Sequence, residues 1–298
     1  MKSFAREDGA AALLPPVRPE YEVELRPAAP HEAPAREPLA TRLASQTWLR
    51  KSLIALVLIG LWELGARAVS NDLLLPTFTA TVEAFVNGIL SGELLLRTGL
   101  SLSVLIQGYV LGVVAAFVLT SLAVSTRLGR DLLTMLTSMF NPLPSIALLP
   151  LALLWFGLGN GSLLFVLVHS VLWPLALNTY AGFQSVPDTL RMTGRNYGLK
   201  GLRHVLLILV PAALPSIVSG LRVSWAFAWR TLIAAELVFG ANSGGGGLGW
   251  YIFQNRNELY TDRVFAGLAM VILIGLAVEH LVFDTLERVT VKRWGVQK

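Results

Sequence analysis

The chain contains no cysteine, which excludes disulfides, thiol nucleophiles and cysteine-ligated metals. Charge is also scarce. Asp, Glu, Lys and Arg make up 14% of the 298 residues, against roughly 25% in a soluble domain. The four histidines, His31, His169, His204 and His280, are scattered without metal-ligand spacing. No phosphate-binding G-x-x-x-x-G-K-[ST] loop is present. The glycine run Gly244–Gly247 is followed by neither Lys-Ser nor Lys-Thr and has no strand before it, so it reads as a turn and loop and not as a nucleotide cradle. No serine sits in a G-x-S-x-G elbow. These absences remove the usual constellations of metal, nucleotide and covalent catalysis, and the chain reads as no enzyme on its own.

What fills the sequence instead is apolar. Hydrophobic residues are 54% of the chain and the mean hydropathy is +0.61. Six apolar segments stand near 52–69, 98–124, 132–156, 161–182, 209–239 and 264–284, each long enough for the roughly 20 residues that a bilayer crossing takes. The expected fold is therefore an all-α membrane bundle of about six transmembrane helices, set in lipid. The mixed stretch 72–96 places Val82, Phe85, Val86, Ile89 and Leu90 at helical spacing, which predicts an interfacial amphipathic helix. The first apolar run begins near Leu53, too far from Met1 for a standard signal peptide, and reads as a retained first span. Residues 1–47 form a separate region, with Pro15, Pro16, Pro19, Pro27, Pro30, Pro34 and Pro38 among Glu, Arg and Ala. Such a segment buries too little apolar surface to order itself; it reads as a disordered tail, either inert or a docking arm. Residues 48–298 form the membrane domain.

The net charge of +5 does not point to nucleic acid, because the basic residues sit in short loops and set topology. One set of flanks holds Arg42, Arg50, Lys51, Arg127, Arg130, Arg191, Arg195, Lys200, Arg203, Arg288, Lys292, Arg293 and Lys298. The alternate flanks hold only Arg67, Arg97, Arg256 and Arg263. The richer side is cytoplasmic, so both termini are expected there, in agreement with an even number of spans.

Prolines recur inside the spans: Pro142, Pro144 and Pro150 in the third, Pro174 in the fourth, Pro211 and Pro215 in the fifth. Each removes a backbone donor and favours a kink, which suits a pore-lining bundle and ordinary kinked packing equally. The fifth span also carries Arg222, Arg230 and Glu236 at membrane depth, where charges are costly and point to function by default. Arg222 and Glu236 share nearly one face with Trp225 and Trp229 between, about 21 Å apart, and cannot pair. Arg222 is expected to anchor the cytoplasmic end, Arg230 to face a polar pathway or an ion-pair partner, and Glu236 to hold a hydrogen bond or ion pair near the outer end. Trp229 joins these three as a pathway candidate. A planar guanidinium suits sulfonate, nitrate or carboxylate recognition. His169 reads as a hydrogen-bonded packing residue, because no acid lies one turn away. Glu63, beside Trp62, is expected to meet an interhelical donor.

The segment 186–205, VPDTLRMTGRNYGLKGLRHV, is too long for a minimal turn and too polar for the bilayer. Helical residues 188–197, a break at Gly198 and a second helical stretch predict a compact protruding knob or a plain amphipathic connector. This stretch resembles the coupling loop of ABC importer permeases, E-A-A-x-x-x-G followed by a proline-rich signature. Met192, Thr193 and Gly194 stand at the E-A-A positions, Gly198 at the glycine, and Val210, Pro211, Pro215 and Gly220 in the signature. The glutamate and both alanines are replaced; the glycine and both prolines match. LPSIALLPLALLWFGLGNGS (143–162), GLRVSWAFAWRTLIAAELVFG (220–240), GGGGLGWYIFQNRNELYTDRVFAG (244–267) and the Arg293-Trp294 tail resemble the nitrate, sulfonate and taurine branch of that family.

The resemblance, from about residue 49 onward, implies a type I ABC importer permease fold in the bacterial inner membrane. It implies a second permease copy, a cytoplasmic ABC ATPase dimer that holds the ATP, and an extracytoplasmic substrate-binding protein, with no cofactor on this chain itself. It marks Met192, Thr193, Gly194, Gly198, Leu199 and Lys200 as the ATPase-coupling residues. Substrates of the branch are nitrate, taurine, alkanesulfonates and some heterocyclic compounds. The competing reading is a self-contained secondary transporter or channel, which explains intramembrane charge without a partner; no internal repeat supports it.

Overall fold

Wherever the sequence carries a long apolar run the backbone is helical, because in lipid every N–H and C=O must be satisfied within the segment. The computed structural model describes residues 46–239 and 246–292, and no strand occurs among them. Two units separate, Met1–Val57 and Leu58–Lys298. In the first, the described residues form the beginning of helix α1 (Thr47–Val69). The expected tail lies outside the described residues except for its last two positions, and so do Gly244, Gly245, Arg293 and Trp294.

The second unit continues with α2 (Phe78–Leu90), α3 (Glu93–Ser125), α4 (Arg127–Phe140), α5 (Leu149–Phe156), α6 (Asn160–Gln184) and α7 (Asp188–Asn196). It ends with α8 (Gly201–Ala212), α9 (Leu214–Phe239), α10 (Leu248–Asn257) and α11 (Thr261–Thr290). Among the described residues four helices, α1, α3, α6 and α11, are long and apolar enough to cross a membrane alone. Two bent pairs, α4 with the 145–156 helical stretch and α8 with α9, bring the total to six.

The boundaries shift in informative ways. The second span starts at Glu93, five residues before the expected edge, and the sixth runs on to Thr290. The third span turns through 89° and the fifth through 83°. The first of these bends falls at Asn141–Pro144 and the second at Ala213, between Pro211 and Pro215. Pro174, by contrast, lies inside an uninterrupted α6. Residues 248–257, which lie between two expected spans and carry no expected element of their own, form α10.

The bundle is built around α6, which packs on α3, α5 and α9. Helix α3 shows how. Its face of Ser101, Leu105, Gly108, Gly112, Ala116 and Thr120 is buried, whereas Ile106, Val110, Val114 and Val118 are exposed. Small residues thus face protein and large apolar ones face lipid, as expected where close backbone approach drives association. A Cβ at Gly108 would stand 2.6 Å from Leu167 Cβ, and one at Gly112 2.6 Å from Val171 Cβ, so this crossing requires both glycines.

Candidate functional site

The break at Asn141–Pro144 opens a cavity of about 460 Å³ between the third span, α6 and α9. Proline at 142 and 144 prevents helix continuation, and the stretch frees space beside His169 and Trp173 of α6 and Phe227, Arg230 and Thr231 of α9. Phe140 stacks on Trp173 at 5.4 Å between centroids. The Ser145 hydroxyl lies 3.2 Å from His169 Nδ1. Arg230 is exposed, sits 5.7 Å over the Phe227 ring and has no carboxylate partner among the described residues.

At one end of the bundle a buried carboxylate holds α10. Glu236 accepts the Ser101 hydroxyl at 2.8 Å and the Gly249 N–H at 2.8 Å. The Leu248 N–H donates to the same Ser101 oxygen at 2.8 Å, and Arg97 donates to the Gly246 carbonyl at 3.1 Å. Glu236 is 5% exposed, so its oxygens depend on these donors. Nearby, Trp62 donates to the Pro76 carbonyl at 3.1 Å, and Glu63 accepts the Thr79 N–H at 3.2 Å and pairs with Arg67.

Toward the opposite end Arg222 donates to Asp284 at 3.0 Å and to Glu287 at 3.2 Å, with Glu279 a further ion-pair contact at 3.3 Å. Helix α11 widens over Val278–Phe283. Such i→i+5 turns bring residues five apart toward one face, which lets Glu279 and Asp284 meet one guanidinium.

At that end, past α6, the 186–205 segment folds into a knob. Arg191 clamps α7 to the end of α6, donating to the Val186 carbonyl at 3.2 Å and to the Phe183 carbonyl. Phe183, Val186, Val205, Leu209 and Ala213 form a small separate core beneath it. The Leu199 N–H returns to the Gly194 carbonyl at 3.0 Å, closing α7 through Gly198 at φ 73°, a left-handed conformation that favours glycine. Gly194 is buried against α8, where a Cβ would stand 2.8 Å from His204 Nδ1 and 2.9 Å from Ile208 Cγ1. Met192 and Tyr197 project outward, 60% and 82% exposed, and Thr193 and Lys200 are also exposed.

The family profile described as a binding-protein-dependent transport system inner membrane component matches residues 108–288, a range that includes the cavity, the Arg222 cluster and the knob. The chain belongs to this family. It is 33% identical to a putative ABC transporter permease of Methanocaldococcus jannaschii, over 78% of this chain and 87% of that one. To a putative aliphatic sulfonates transport permease of Bacillus subtilis it is 30% identical, over 79% and 84%. To a nitrate import permease of Synechocystis it is 27% identical, over 78% and 86%. The fold is accordingly that of type I ABC permeases.

In this inner membrane component the four expected pathway residues do not converge. Only Arg230 lines the cavity. Arg222 is held by the acids of α11, Trp229 is buried and donates to the Val271 carbonyl at 3.3 Å, and Glu236 holds α10. Sequence reasoning passed over Ser101 and Ser145. His169 and Trp173, one helical turn apart on α6 and opposite a proline pair, were the available signal for a polar break in the third span.

Proposed function

We propose that the chain is the membrane-spanning subunit of an ATP-driven importer in the bacterial inner membrane, with both termini cytoplasmic. It would form the pathway for a small anion of the nitrate, taurine or alkanesulfonate class, beside a second permease copy. An extracytoplasmic binding protein delivers the substrate, and a separate cytoplasmic ATPase dimer holds ATP. The knob is the observation that carries this reading. It has its own core and an arginine clamp to α6, so a push on Met192 and Tyr197 is passed to the spans and not absorbed by a slack loop. ATP binding then shifts the population between outward and inward openings because the ATPase grips the two states with different affinity. Arg230, at the proline break, supplies the positive potential that an anion meets. The relatives' names, sulfonate and nitrate permeases, support the substrate class.

The test is co-expression with a candidate ATPase and purification in detergent, for the natural chain and for Gly198→Val. A side chain at the left-handed Gly198 costs about 1–2 kcal/mol of local strain, and its Cβ meets no atom within 4 Å. It therefore reshapes the turn while the spans stay folded. Co-purification that the substitution weakens is expected. A chain that binds no ATPase and takes up solute alone in an ion gradient contradicts the reading.

A further inference from the structure

The knob encloses a second cavity, of about 300 Å³, between the last turn of α3 and the start of α8. Arg191 and Arg195, one helical turn apart on α7, line it together with Lys200, and no carboxylate does. None of these three cations has an ion-pair partner among the described residues. Arg191 donates to the Val186 and Phe183 carbonyls, which fixes its guanidinium and leaves its charge unneutralised. Three like charges held around one hollow repel one another until an anion sits among them. Helix α8 begins at the same hollow, at Gly201, with no side-chain acceptor on its first N–H groups, and a helix start adds to the preference for negative charge. Forked guanidinium donors and an ammonium suit the several oxygens of a phosphate.

The surroundings say where the phosphate comes from. Ser125, in the lining, is the last residue of α3, so the cavity lies where a span leaves the bilayer. The 26 residues of α9, at 1.5 Å each, are long enough to cross the roughly 30 Å hydrocarbon core. Helix α8 meets α9 at 83° and therefore runs close to the membrane plane. There it exposes Leu202, Leu206 and Leu207, as a helix does that lies in the boundary between headgroups and acyl chains. A free phosphate would satisfy the cations and leave these leucines in water. An anionic phospholipid satisfies both, and basic pockets between helices at the cytoplasmic surface suit such headgroups. We infer that the cavity seats the headgroup phosphate of an anionic phospholipid, with α8 lying in the interface and its exposed leucines among the acyl chains. The lipid would hold the membrane side of the knob while Met192 and Tyr197 project away from it. The site stands on charge and geometry at one end of the bundle and is independent of the transported solute.

The test is native mass spectrometry of the purified, delipidated full chain in detergent, at an ionic strength of roughly 0.15 M. The probes are dioleoylphosphatidylglycerol, dioleoylphosphatidylcholine and inorganic phosphate. One phosphatidylglycerol is expected to bind saturably, about tenfold tighter than phosphatidylcholine, whose choline brings a positive charge toward the cations. Arg195→Gln is expected to weaken phosphatidylglycerol about tenfold, the loss of one charge-assisted hydrogen bond, and Arg195→Lys to keep most of the binding. Arg203→Gln removes the same charge from an exposed position outside the lining; with that charge screened by salt, a loss of about twofold at most is expected. Equal binding of the two lipids, equal losses from Arg195→Gln and Arg203→Gln, or displacement of phosphatidylglycerol by millimolar inorganic phosphate overturns the inference. ATPase co-purification is scored separately on the same variants. If Arg195→Gln abolishes it and leaves phosphatidylglycerol binding unchanged, the cavity serves the ATPase and the lipid inference falls, while the transport reading stands.

Discussion

The Ser101 hydroxyl of α3 donates to the Glu236 carboxylate of α9 at 2.8 Å, across 135 positions of sequence. The same serine oxygen accepts the first N–H of α10, that of Leu248, and Glu236 accepts the next, that of Gly249. Two helices and the start of a third thus meet at one buried carboxylate. Glu236→Ala leaves the Gly249 N–H without its acceptor, at a cost of about 1–3 kcal/mol. Glu236→Gln retains an acceptor oxygen and costs less. Thermal unfolding in detergent checks the order: natural chain, then Gln, then Ala.

The same junction is intolerant of added bulk. A Cβ at Gly249 would lie 2.6 Å from Glu236 Cβ and 2.6 Å from the Ile233 carbonyl oxygen, whereas one at Gly99 meets nothing within 4 Å. Gly249→Ala is expected to destabilise by about 1–3 kcal/mol, the usual cost of overpacking. Gly99→Ala, on a helix surface, is expected to be neutral or slightly favourable. Yield of monodisperse protein and unfolding temperature distinguish the two.

Much of this architecture is legible in the sequence, for identifiable reasons. Apolar run length reports spans because lipid leaves a helix few alternatives, and six were expected where four helices and two bent pairs stand. The prolines marked the third and fifth spans as breakable. They did not say which would turn, since Pro174 leaves α6 continuous and Pro142 does not leave the third span so. Arg222 could be recognised as a costly charge, but its acids lie 57, 62 and 65 positions away on α11, and no local period encodes that distance. Helix α10 was missed because its polar and apolar residues follow no helical stripe. Its start is fixed by Ser101 and Glu236 instead.

The Arg222 cluster is partly exposed, 31% on the arginine and 34% on Asp284, so each pair contributes modestly, roughly 1 kcal/mol or less. Arg222→Gln is expected to destabilise by leaving three carboxylates facing one another. Asp284→Asn in that background is expected to recover part of the loss. A double-mutant cycle in low and high salt measures the coupling, which should shrink as salt rises.

Gly194 and His204 form a complementary pair. The coupling pattern that this segment resembles has alanine at position 194, and here His204 fills the space that its methyl group would take. Gly194→Ala is expected to lift α7 from α8 and reduce ATPase co-purification. Adding His204→Ala makes room and is expected to restore it. Recovery in the double variant separates a packing effect from direct loss of a contact.

Because the chain has no cysteine, a single introduced thiol reports on one place alone. Tyr197, 82% exposed on the knob, and Leu90, 79% exposed at the end of α2, are the informative pair. In membranes carrying the natural partners, Tyr197→Cys with a short bifunctional cross-linker is expected to join the chain to the ATPase subunit, and Leu90→Cys is not. Cross-linking to the ATPase from Leu90→Cys, or its absence from Tyr197→Cys in an assembled complex, would contradict coupling through the 186–205 segment.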